Sequence, residues 1–238
     1  MGDLNDRGND TRKVYDTLID LREQAKVKGG NVYVLLGNHD IYAIRGNHYY
    51  APTKDFESFG GVEGMEYAYS PEGKTGKFLR QEMNLTMVVD DTIFAHAGVF
   101  PEHVTEGVDN LNEKARNLLL DTPSVEELYQ LYLNNITHPI YTDEIFLGGK
   151  SVLDNKYLSN YPESEMCSDL EETLRLTNTK RMIVGHTVQF YGKINTKCND
   201  KLILIDIGIS RCVGGGYYGY VEILNDKKEI WARYLKHN

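Results

Sequence analysis

Four short motifs carry side chains suited to metal and phosphate chemistry: Gly2-Asp3-Leu4-Asn5-Asp6-Arg7-Gly8, Gly37-Asn38-His39-Asp40, Ala95-His96-Ala97-Gly98 and Gly185-His186-Thr187. A carboxylate such as Asp3 can bridge two divalent ions through its two oxygens. His96 and His186 supply imidazole nitrogen, which suits zinc, iron or manganese. Asn38 adds a neutral carbonyl oxygen without further negative charge. Two metal ions about 3.5–4 Å apart can clamp a phosphoryl group for in-line attack. His39 adjoins a ligand position, where it can donate a proton to a leaving group, and either Asp6 or Asp40 could orient its ring. Arg7 offers a planar fork for phosphate oxygens. Each motif alone is weak, since a lone histidine at a strand end is more often structural. Their order and placement give the set its weight.

The elements that must position these motifs follow from periodicity. Val14, Leu18, Leu21 and Ala25 recur at helical spacing, predicting a helix over Thr11 to Lys26 that stops at Gly29-Gly30. The apolar run Val32 to Leu36 reads as a buried strand ending at the Asn38 motif. Leu85 to Val89 and Thr92 to Ala95 flank an Asp90-Asp91 turn, and the second strand runs into His96. Helices are expected near Val108 to Leu120, Val125 to Asn134 and Glu165 to Leu176, with loop from Thr137 to Pro162. A strand over Arg181 to Val184 runs into His186. The tail reads as a meander of Lys201 to Ile207, Gly219 to Leu224 and Glu229 to Leu235. Lys227-Lys228 falls in its last turn. Three apolar strands thus end in Gly, Asn or His, and strand ends are where α/β folds place ligands. No repeat or composition break appears, so residues 1–238 are read as one domain.

Composition narrows the partners. A formal net charge of −9 argues against nucleic acid or an anionic membrane, though not against a phosphate held by metal ions. No run approaches the roughly 20 apolar residues of a membrane span. Cys167, Cys198 and Cys212 are an odd count without close spacing, read as reduced thiols of a cytoplasmic protein. His48, His103, His138 and His237 take a structural reading.

With these motifs in hand, the chain resembles the calcineurin-like metallophosphoesterases, within them the phosphoprotein phosphatase branch, and within that the Shewanella-like phosphatases. Further stretches carry the finer likeness: Ser58-Phe59-Gly60-Gly61, Gly76-Lys77-Phe78-Leu79-Arg80, Asp91 to Gly98, and Asp206-Ile207-Gly208-Ile209-Ser210. The likeness runs from Gly2 to about Ile223. It implies an α/β layered fold with two mixed β-sheets flanked by helices. It also implies hydrolysis of phosphate monoesters by a metal-activated hydroxide, on proteins or small molecules. By the same resemblance Asp3, Asn38, His96 and His186 are metal ligands. His39 is the general acid with Asp6 as its partner, and Arg7 and Asn38 contact phosphate.

Two departures qualify the likeness. The family's earlier Asp-x-His pair, with its first strand-helix-strand, has no counterpart here, so one complete metal shell is expected where the family holds two. Where the family often has Leu-Trp before a phosphate-binding arginine, this chain has Leu153-Asp154-Asn155-Lys156, so Lys156 keeps the charge but loses the fork. The alternatives are a hydrolase of small nucleotides or polyphosphate, and a non-catalytic module that binds phosphorylated partners.

Overall fold

A computed structural model describes residues 1–226 and 228–235. Helix α1 (Thr11–Val27) turns Tyr15 inward and ends where Gly30 donates its amide to Ala25 O, as the glycine pair predicts. Val32 to Leu36 does not become a full strand. Val34, Leu35 and Leu36 are buried while Tyr33 is exposed, and the run pairs only through a single parallel bridge from Leu35 to Asn84. The Asn38 motif then opens a short helix, α2 (Asn38–Ile44), rather than a loop. Gly37 caps it, and the Asp40 carboxylate accepts the Gly37 amide at 2.7 Å.

Three helices follow that periodicity did not reveal: α3 (Thr53–Phe59), α4 (Val62–Tyr69) and α5 (Lys74–Glu82). They are short, and Gly64 and Gly76 inside them depress helix propensity. Tertiary contacts make up the difference. Arg80, 2% exposed, donates to Tyr69 O, Gly76 O and Leu119 O, tying α4 and α5 to α6 (Val108–Asp121). The Gly76 to Arg80 stretch therefore contributes structure rather than chemistry. Helix α7 (Val125–Leu133) starts on a capping box from Ser124 and Glu127. Helix α8 (Tyr157–Asn160) is one turn long, and α9 (Glu163–Leu176) packs Met166, Leu170 and Leu174 into the core.

The main sheet is mixed and five-stranded, in the order β1-β2-β3-β5-β4. Strands β2 (Thr92–Ala95), β3 (Arg181–Val184) and β5 (Leu202–Leu204) run parallel. Strands β1 (Thr86–Val89) and β4 (Asn195–Lys197) are antiparallel edges. The register pairs Ala95 with Val184, so the residues after each strand emerge side by side, and Gly185 donates to His96 O at 2.8 Å. The expected tail meander is corrected here: β5 belongs to the main sheet, where its three apolar residues are buried. Strands β6 (Gly219–Leu224) and β7 (Glu229–Tyr234) form their own antiparallel hairpin, so the second sheet is not mixed. Lys227 and His237, read from sequence as a turn residue and a structural histidine, lie outside the described residues.

The cysteine reading is also corrected. Cys167 of α9 and Cys198 beyond β4 form a disulfide, leaving only Cys212 free among the described cysteines. Sequence spacing gave no hint, because the fold brings together thiols 31 residues apart. The cytoplasmic expectation rested on three free thiols and loses that support. Among the described residues no helix is long and apolar enough to cross a membrane.

Candidate metal centre and active site

All four motifs meet at the C-terminal edge of the parallel strands. His96 follows β2, His186 lies two residues beyond β3, and the loop of residues 1–9 passes beneath the start of α2. That crossing is backbone against backbone. A β-carbon on Gly2, whose φ is +85°, would meet Gly37 N at 2.5 Å and His96 Nδ1 at 2.7 Å. One on Gly37 would collide with the Asp3 carboxylate. Only glycine at both positions lets the Asp3 loop come this close. Asp3, Asp6, Arg7 and His186 themselves adopt positive φ, a strained region that costs each of them on the order of 1–3 kcal/mol and recurs at functional sites.

Ligating atoms of Asp3, His96 and His186 all lie within 4.8 Å of one another. His96 Nδ1 sits 2.6 Å from Met1 O, which can only accept, so in the neutral ring Nε2 carries the lone pair. That Nε2 is 3.3 Å from Asp3 Oδ2 and 3.2 Å from both Asn38 Oδ1 and His186 Nδ1. Asn38 Oδ1 is in turn 3.1 and 3.2 Å from the two Asp3 oxygens. Lone pairs therefore face lone pairs at one point. A rotated Asn38 amide would satisfy these acceptors, and so would a cation. Mixed oxygen and nitrogen donors of this kind suit a transition-metal dication, so the residues present fit the metal that the sequence implies.

Electrostatics at the cluster agree. Burial works to raise the Asp3 carboxyl, but His96 and His39 together take it down to about 2. Burial, then the His96 charge, lowers His186 to about 4, keeping its ring neutral at pH 7. Burial opposes protonation of His96 as well, yet the Asp3 charge raises its pKa on balance.

Beside the cluster, His39 Nδ1 contacts Asp6 Oδ2 at 2.5 Å, both side chains almost fully closed off from solvent. The His39 ring lies between Tyr42 and Tyr50, with centroids 5.3 and 5.2 Å away. Of the two carboxylates that sequence offered as its partner, Asp6 is the one in contact. Asp40 is engaged elsewhere: it accepts from Tyr15 Oη at 2.6 Å, from Gly37 N, and from Asp3 N at 3.2 Å. It is fully buried, and burial followed by the Asp3 charge raises its pKa to about 6. Asp40 thus holds the Asp3 loop to α2.

The cluster opens onto a cleft of about 570 Å³ bordered by Asp3, Asn38, His39, Arg7, Lys156 and His186. Arg7 stacks over Tyr50 at 4.8 Å and is exposed, as is Lys156. Every residue that the sequence singled out is therefore at the cleft or directly behind it. Sequence reasoning missed Tyr42, Tyr50 and Asp154, which also border the cleft. His48 packs on Phe56 and Tyr69 away from it, as its structural reading expects. A larger cavity of about 810 Å³, between the main sheet and the β6–β7 hairpin, has a mostly apolar lining and touches none of the candidate site residues.

The sequence model of the calcineurin-like phosphoesterase family matches residues 1–190. Shewanella-like protein phosphatase 2 of Arabidopsis thaliana is 27% identical over 95% of this chain and 65% of its own length. Shewanella-like protein phosphatase 1 of Plasmodium berghei is 28% identical over 95% and 61%, respectively. An uncharacterised protein of Schizosaccharomyces pombe is 31% identical over 90% and 62%. Among solved structures, a point mutant of a cold-active protein tyrosine phosphatase superposes with a TM-score of 0.70 at 23% identity, covering 90% of this chain and 61% of that one. The cold-active protein tyrosine phosphatase of a psychrophilic Shewanella species gives 0.68 at 22%, over 92% and 64%. These structures show the same fold. The chain spans less than two thirds of the length of each of these proteins.

Proposed function

The chain belongs to the calcineurin-like phosphoesterase family, and from that premise we propose that it is a metal-dependent phosphatase acting on phosphate monoesters, phosphoproteins or small molecules. The observation that carries this reading is the convergence of Asp3, Asn38, His96 and His186 lone pairs beside the His39–Asp6 pair. Those four residues would hold manganese, iron or zinc, and a bound dication would supply electrophilic activation of the phosphoryl group and of the attacking water.

The chain's own groups do the rest. Arg7 and Lys156, exposed at the cleft, neutralise the phosphate and orient it, Arg7 with its guanidinium plane fixed against Tyr50. Asn38 serves both the metal and a phosphate oxygen. Asp6 holds His39 by Nδ1, which leaves Nε2 to deliver a proton to the departing oxygen. Tyr42 and Tyr50 limit the swing of that ring. Asp40 pins the Asp3 backbone and so keeps the carboxylate aimed at the cluster.

The test joins metal content by elemental analysis with hydrolysis of p-nitrophenyl phosphate in added manganese. Stoichiometric metal with turnover, both lost in Asp3→Asn, is the expected result. Metal uptake without turnover at high protein concentration would overturn the enzymatic reading and leave a phospho-binding role. No uptake at all would overturn the metal centre.

A further inference from the structure

Two of the proposed ligands each carry a nitrogen that must point away from the metal, the amide nitrogen of Asn38 and Nε2 of His186, and both are aimed at one carboxylate. Asn38 Nδ2 lies 3.4 Å from Asp154 Oδ1, and His186 Nε2 lies 3.5 Å from the same oxygen. His186 Nε2 is buried and makes no hydrogen bond among the described residues, so the Asp154 carboxylate, just outside hydrogen-bonding geometry, is the acceptor it faces. Asn38 Nδ2 has one further acceptor, Tyr42 Oη at 3.3 Å.

Asp154 is itself firmly placed. Val152, Leu153 and Asn155, its neighbours, are fully buried. Its amide donates to Ser151 Oγ at 2.8 Å, and Asn155 Nδ2 donates to Ser151 O at 2.8 Å. Val152 O accepts the amide of Ala97, the residue after His96, at 3.0 Å. The turn carrying Asp154 is thus bonded directly to the strand end that delivers a metal ligand. Its side chain, 36% exposed, needs no fixed partner for folding.

The geometry points to Asp154 as the positioning residue that sets the orientation of two metal ligands at once. An acceptor opposite His186 Nε2 selects the tautomer with hydrogen on Nε2, which frees Nδ1 toward the cluster. The same acceptor opposite Asn38 Nδ2 holds the amide with its oxygen inward. Without it the amide is free to rotate, because its nitrogen would then find Asp3 and His96 at 3.1–3.2 Å. That rotated state places a donor where a cation belongs and closes the site against metal. Outer partners that orient ligands in this way typically contribute about 10- to 100-fold in metal affinity.

This inference rests on the metal-centre reading, and the experiment separates the two. Manganese affinity of the 238-residue chain is measured by calorimetry for wild type, Asp154→Ala and Asp154→Asn. In parallel, long-range proton–nitrogen NMR reads the His186 tautomer in the metal-free protein at pH 7. The expected result is a roughly 10- to 100-fold loss of affinity in Asp154→Ala, with much of it restored in Asp154→Asn, whose carbonyl still accepts. Wild type should show the Nε2–H tautomer, and Asp154→Ala a mixture. Equal losses in both variants would mean that only the charge of Asp154 matters and would overturn the positioning role. So would an unchanged tautomer. If wild type took up no manganese, the metal-centre reading would fall, while the tautomer would still decide what Asp154 does to His186.

Discussion

Replacing Asp6 with Asn tests whether His39 is the acid and whether Asp6 acts only through it. The contact is 2.5 Å, and the side chains are 6% and 3% exposed, so water cannot take over the lost interaction. A buried hydrogen bond to an ionised group contributes about 1.5–3 kcal/mol. If that stabilisation is realised as the proton moves to the leaving group, kcat falls roughly 10- to 150-fold. KM should change little, because Arg7 and Lys156 are untouched.

The choice of substrate sharpens this prediction. p-Nitrophenolate departs as a stable anion and needs little protonation, whereas the serine alkoxide of a phosphopeptide needs a full proton. The Asp6→Asn deficit should therefore be large on a phosphoserine peptide and small on p-nitrophenyl phosphate. His39→Asn should show the same pattern with metal content nearly intact, and the double variant should be no slower than His39→Asn alone. Equal losses on both substrates, or additive losses in the double variant, would refute the acid assignment. Loss of metal in His39→Asn would refute it more directly.

Three other outcomes follow from the interior of the site. Tyr15→Phe removes the 2.6 Å hydrogen bond to Asp40 and should lower stability in urea by about 1.5–3 kcal/mol. Asp40, with a folded pKa of about 6 against an ordinary 3.8, favours folding below pH 4 and loses that contribution as pH rises through 6, about 3 kcal/mol in all for the metal-free chain. His186, lowered to about 4, has the opposite sign over the same range, so the quantity to measure is wild type minus Asp40→Asn, which should shrink from pH 4.5 to pH 7. Opening the Cys167–Cys198 bond, by reductant or by Cys167→Ser with Cys198→Ser, should lower stability by about 3–4 kcal/mol, given a 31-residue separation.

Much of the fold was legible because its long amphipathic elements speak for themselves. Helices α1, α6, α7 and α9 and strands β1, β2 and β3 lie within a few residues of where periodicity places them. What failed was pairing. Val32 to Leu36 has strand composition, but whether it forms a strand depends on a neighbour to bond, and only Asn84 offers one. Lys201 to Ile207 could extend a tail meander or join a parallel core, and local pattern cannot decide between partners. Helices α3 to α5 owe their existence to contacts such as the buried Arg80, whose partners lie outside any short window of sequence.

The site was more legible than the fold, for a physical reason. Metal ligands and general acids need particular functional groups, so the residues proposed for these roles, Asp3, Asn38, His39, His96 and His186, stand out by type and by their places at strand and helix ends. Asp6 and Asp40 show where this stops. Both are aspartates one position from the family's working residues, and only the backbone decides that Asp6 meets the His39 ring while Asp40 turns back onto Gly37 and Asp3. Asp154 lies further out still, 116 residues from Asn38 in sequence. In the sequence Lys156 stands out as a replaced arginine, whereas no motif marks the carboxylate two residues before it. A residue that orients ligands has no required type beyond an acceptor, and no required spacing. Its function consists wholly of where the fold puts it, which is why it becomes visible only once Asn38 and His186 are seen to face the same oxygen.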